Sequence, residues 1–237
     1  MKILHGQRGV GDSFKLLGPL IDTKLIMDQE VQRIRRKTPP KVKAILRTRP
    51  CYDDVGLIGQ YKAHVLPILE GTTGAIYHAS KTQLRKVDAV QDTFLHGLDM
   101  SAEQAFLQHN LATLQLRRDI GIMGLFFKIT HGQAHPDFED LFRPDTRRRD
   151  WTTRFNTSQH RFQLSDICDG SQSEVTNRSI FGAVRVFNRL PAFLFEVDSV
   201  HAFQRLLTER ARHACRNHAA DWSHIYIYIY SNRIVRA

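Results

Sequence analysis

Apolar positions recur at helical spacing through most of the chain, with short turn signals between the runs. The stretch from Phe14 to Ile21 differs: its apolar run is interrupted by Gly18 and Pro19, which predicts an edge strand and a turn. Leu25, Ile26, Gln29, Val31 and Ile34 then form a rough helical stripe running into Arg33, Arg35, Arg36 and Lys37. Thr38-Pro39-Pro40 is expected to break that helix, because proline has no N–H to donate and its ring clashes with the preceding turn. A second helix is expected from Asp53 or Asp54, with Leu57, Ile58, Tyr61, Val65 and Ile68 on its inner face and Pro67 limiting its end. Gly71 to Gly74 reads as a loop.

Ser80 to Gln83 and Ser101 to Gln104 both fit the capping box, in which the serine oxygen accepts a first-turn N–H and the glutamine reaches back. The first opens a helix with Leu84, Val87, Gln91, Phe94 and Leu98 inward, ending near Gly97; the second opens a short helix through Phe106 and Leu107. Leu114 to His131 is the most apolar helix and belongs at the centre of a bundle, with Gly132 as its stop. From Arg143 to Arg161 the periodicity lapses into an exposed loop with a strand around His160 to Leu164, and Asp169 to Ser171 makes a turn. Two helices follow, roughly Val175 to Asn188 and Ser199 to His213, joined through Leu190-Pro191. Ile225 to Tyr230 alternates strictly, as a translated ATATAT tract would; it predicts an exposed, aggregation-prone strand or a tail that no fold requires.

Composition narrows the classes. A chain of 237 residues, 42% hydrophobic, can build one sizeable core or two small ones without metal or disulfide staples. Its formal net charge of +10 favours a polyanionic partner, nucleic acid ahead of a membrane surface. Cys51, Cys168 and Cys215 are far apart and give no disulfide framework, which suits a reducing compartment. Met1 to Gly6 has no apolar h-region, and Gly121 to Phe127 is too short to span a bilayer. The expectation is a soluble intracellular protein, nucleus or cytoplasm undecided.

Candidate chemistry is sparse. Tyr52-Asp53-Asp54 invites comparison with polymerase carboxylates that bind two metal ions. Its upstream flank, Arg47 to Cys51, is polar and contains Pro50, and a helix follows, so Asp53 or Asp54 fits better as an N-cap. Gly6, Gly9 and Gly11 lack the spacing of a phosphate-cradling loop. His213, Cys215, His218 and His224 offer one thiolate at irregular spacing, poor support for zinc. No catalytic residue, metal or cofactor is assigned.

The order of segments does resemble a known family. Phe14-Lys-Leu-Leu-Gly18 with Ile21-Asp22, Tyr61 to Pro67, Leu84 to Asp88 with Val90-Gln91, Leu116-Arg-Arg-Asp-Ile120, Lys128 to Gly132, Arg185 to Pro191 and Ser199 to Phe203 are similar, in order and spacing over roughly residues 14 to 210, to the C-terminal region of LINE-type (non-LTR) retrotransposon reverse transcriptases, after the catalytic palm. The resemblance implies a mainly α fold: a thumb-like helical bundle, then a smaller loop-rich α or α+β segment. Together with composition and charge, it divides the chain into a palm-edge remnant and linker at 1–22, a thumb-like domain at 23–142, a basic loop with a small helical segment at 143–213, and a low-complexity tail at 214–237 that resembles no element of the family.

In the parent enzymes the thumb grips the template–primer duplex, so the implied partners are RNA or RNA–DNA duplex, bound without sequence preference, and the palm and fingers that precede this region. Charge, and not the resemblance, selects the contact candidates: Arg33, Arg35, Arg36, Lys37, Lys41, Lys43, Arg47 and Arg49, and a second patch at Arg147, Arg148, Arg149 and Arg154, where Trp151 and Phe155 could stack on unpaired bases. Two alternatives stand beside this non-catalytic binding segment: a degenerate retroelement relic, and a polymerase using Tyr52-Asp53-Asp54.

Overall fold

The computed structural model describes residues 13–15, 19–22, 26–145, 160–168 and 173–226. The fold is mainly α. The chain divides into two compact units, Met1–Leu98 and Asp99–Ala237. That boundary falls inside the 23–142 segment read as one domain, because the apolar stripes on either side of Asp99 close on different partners.

In the first unit, β1 (Ser13–Lys15) pairs antiparallel with β2 (Leu20–Asp22), with Phe14 opposite Ile21. Helix α1 then runs unbroken from Asp28 to Arg47, through Pro39 and Pro40. The expected break is therefore corrected. Met27, Val31, Ile34, Thr38, Val42 and Ile45 are all buried, so the inner face continues across the proline pair. The carbonyls that the prolines leave without a donor belong to Arg35 and Arg36, both exposed, where water can serve them. Thr38 Oγ1 donates to the Ile34 carbonyl at 3.0 Å, closing the turn from inside. The helix start is also later than the Leu25–Ile34 stripe suggests. Met27 takes a left-handed φ of 64°, and Asp22 accepts the N–H groups of Ile26 and Met27. Gln29 and Ile26 face solvent.

Arg49–Cys51 forms a 3-10 turn, followed by α2 (Asp54–His64), α3 (Leu66–Glu70), α4 (Thr73–Ile76) and α5 (Lys81–His96). The expected loop at Gly71 to Gly74 is a turn at Gly71-Thr72 that runs directly into helix α4. Helix α5 lies along α1, and Tyr61 of α2 stacks on Phe94 of α5 at 4.3 Å between ring centroids. Ser80 caps α5 through the Gln83 N–H, but the Gln83 amide reaches Asp28 of α1 at 2.9 Å, so the box is half used and the other half ties two helices.

In the second unit, α6 (Ala102–His109) has the complete capping box between Ser101 and Gln104. Helix α7 (Leu114–Thr130) packs against the later helices at Ile180–Asn188 and Val200–Arg216, and its end is a Schellman turn: Gln133 N–H donates to the Lys128 carbonyl and Gly132 N–H to that of Ile129, with Gly132 at φ 64°. After α8 (Asp137–Leu141), the expected strand at His160 to Leu164 is a single bridge between Pro144 and Leu164. The Val175–Asn188 helix is two helices, α9 (Glu174–Arg178) and α10 (Ile180–Asn188), since Ser179 takes an extended conformation and caps α10 through the Phe181 N–H. A 3-10 turn, Ala192–Phe195, leads to α11 (Val200–Arg216), capped by Ser199. Phe127, Phe203, Phe195 and Phe187 form a connected aromatic core. Gly124 lets α11 approach α7: a Cβ there would run into the Gln204 side chain.

The tail is packed further than its low complexity predicts. Trp222 stacks on Phe106 at 5.2 Å, and Tyr226 is buried, its hydroxyl donating to the Leu207 carbonyl at 2.7 Å. The Ile-Tyr repeat thus enters the core with its first tyrosine; residues beyond 226 lie outside those described.

Candidate nucleic-acid interface

The first predicted patch falls on one helix and the turn after it. A helix rises 1.5 Å and turns through 100° per residue, so the cations of α1 separate into rows. Arg33, Lys37 and Lys41 recur every four residues and line a cleft of about 440 Å³ whose other wall is Pro67, Ile68, Gly71 and Thr72, around α3. Arg36, Lys43 and Arg47 share a second row on the solvent side, and Arg35 stands on the other flank of the buried stripe. Arg35, Arg36, Lys37, Lys41, Lys43 and Arg47 are exposed, and among the described residues none is drawn into an ion pair.

Two of the eight are committed within the unit. Arg33 is half-buried and holds Glu30 through two hydrogen bonds, Nε to Oε2 at 2.7 Å and Nη2 to Oε1 at 2.5 Å. Glu30 is fully buried; burial pushes its carboxyl up, but Arg33 and the Leu20 N–H outweigh this and hold it below the ordinary carboxylate value. Arg49 donates from Nη1 to the Gly97 carbonyl at 2.8 Å and so closes the end of α5. Its role is a C-terminal cap.

The second patch, Arg147, Arg148, Arg149, Trp151 and Arg154, with Phe155, lies outside the described residues. Sequence reasoning did not find the apolar wall at Pro67 and Ile68 or the buried partner Glu30. The i, i+3 spacing of Glu30 and Arg33 was a readable signal; the wall is set by tertiary packing of α3 on α1 and left no local trace.

Asp53, the first carboxylate of Tyr52-Asp53-Asp54, is the N-cap of α2 and accepts the Gly56 N–H at 2.8 Å. Cys215 is buried in α11, its thiol pushed up by burial and by Glu103. Among the described residues no group of three or more His, Cys, Asp or Glu side chains is placed to hold a metal ion, and no helix is long and apolar enough to cross a membrane.

Several residues of the family-like motifs have structural employment. Arg185 bonds Asp166 at 2.6 Å, Asn177 at 2.7 Å and the Cys168 carbonyl. Asn188 gives and accepts one hydrogen bond with the backbone of Leu164, imitating a paired strand. Both tether residues 160–168 to α10. No protein-family model, curated protein or solved structure matches the chain.

Proposed function

We propose that this chain is a non-catalytic segment of a LINE-type, non-LTR retrotransposon reverse transcriptase, and that its first unit grips template–primer nucleic acid through the sugar–phosphate backbone. The observation that carries the reading is the set of six exposed cations on α1, Arg35, Arg36, Lys37, Lys41, Lys43 and Arg47, none spent on an ion pair among the described residues. Phosphate contacts by lysine and arginine release counterions and position a protein on a helix without reading its sequence. The resemblance over residues 14 to 210 supplies the parent enzyme, and the grip requires no carboxylate chemistry from this chain.

Filter binding of an RNA–DNA duplex, at low and at near-physiological salt, tests the reading. Binding at low salt that weakens steeply as salt rises, and that is largely lost when Arg35, Arg36, Lys37 and Lys41 are all replaced by glutamine, is the expected result. Absent binding at low salt would instead favour a retroelement relic with no binding task.

A further inference from the structure

The cleft between α1 and α3 differs from the rest of the basic surface in having two unlike walls. One carries Arg33, Lys37 and Lys41 at successive i, i+4 positions, about 6 Å apart along the helix axis. The other is mainly apolar, presenting Pro67 and Ile68, with Gly71 adding no side chain and Thr72 a hydroxyl. Gly71 closes the α3 end of that wall, its N–H donating to the Pro67 carbonyl at 2.9 Å. Cations facing an apolar wall suit a ligand that is anionic along one edge and carbon-rich along the other.

We propose that this cleft is the seat of a single sugar–phosphate strand, with successive phosphates on Lys37 and Lys41 and the sugars against Pro67 and Ile68. The inference rests on the function proposed above and assigns its contact site. Arg33 has a different part. Its guanidinium is clamped by the buried Glu30 carboxylate, which also accepts the Leu20 N–H at 3.0 Å. Glu30 offsets one positive charge, so anions are favoured at the lysine end of the cleft, and Arg33 is a positioning residue that fixes the cleft wall. On this account the outer row, Arg36, Lys43 and Arg47, contributes long-range attraction only.

Two double variants of the full chain remove equal charge: Lys37→Gln with Lys41→Gln, and Arg36→Gln with Arg47→Gln. All four side chains are exposed, and circular dichroism melts establish that each variant keeps the fold. Fluorescence anisotropy with a labelled RNA–DNA duplex should show the cleft pair weakened about tenfold at near-physiological salt, and its slope of log affinity against log salt shallower by about 2. The outer pair should lose about twofold, with little change in slope. Equal losses from the two pairs, or a larger loss from the outer pair, would overturn the assignment while leaving backbone binding intact. No binding by the unsubstituted chain would overturn both.

Discussion

His160 shows how a single residue ties local chemistry to stability. Its ring is buried, stacks on Phe195 at 3.8 Å between centroids, and donates from Nε2 to the Phe187 carbonyl at 2.9 Å. Burial pushes its pKa below the ordinary 6.5, and the Phe187 carbonyl only partly opposes that shift. Because the folded pKa is depressed, the unfolded chain binds the proton more readily, and stability is lost as pH falls below 6.5. Urea unfolding midpoints should therefore drop as pH is lowered from 6.5, and His160→Phe should flatten that part of the profile; an unchanged profile in the variant would contradict the assignment. Asp53 makes a second residue-scale prediction. As a cap, it should tolerate Asp53→Asn, whereas Asp53→Ala should cost about 1 kcal/mol in thermal or urea unfolding. Equal losses from both substitutions would argue for a role of the charge and against simple capping.

At the scale of elements, α1 is the instructive departure. The proline rule holds for an isolated helix, where two prolines forfeit two hydrogen bonds. Here the stripe from Val31 to Ile45 packs on α5 along its length, so tertiary burial carries the helix across a sequence that locally opposes it. The hydrogen bonding forfeited at the pair should be recoverable. Pro40→Ala, at an exposed position, should restore an N–H for the Arg36 carbonyl and stabilise the protein by about 1–2 kcal/mol, after the more flexible unfolded chain takes back part of the gain. A lowered thermal midpoint would mean that the helix bends at this point and needs the prolines. Elsewhere the local signals were sufficient. The capping serines Ser80, Ser101 and Ser199 and the glycine stop at Gly132 announce their helix ends, because those interactions involve residues only a few positions apart. The packing of Trp222 on Phe106 depends on a distant partner and was not legible, whereas the break at Ser179 rests on the local bonds of its hydroxyl to Phe181 and Thr176.

At the scale of the whole molecule, the motifs that suggested a parent family turn out to be fold residues more than reactive ones. Ser199 caps α11, Gly132 closes α7, and Arg185 and Asn188 hold residues 160–168. The sequence made the α1 cations visible as a charge run, but not their division into a cleft row, an outer row and the two arginines spent on Glu30 and the Gly97 carbonyl. That division needs helix phase and a neighbouring wall together. Backbone binding is the central claim, and its direct measure is the dependence of affinity on salt for two RNA–DNA duplexes of unrelated sequence. The predicted result is the same slope for both, about −2 or steeper in log affinity against log salt, as expected when at least the two phosphates on Lys37 and Lys41 are neutralised. A slope near zero, or a strong preference for one sequence, would contradict it.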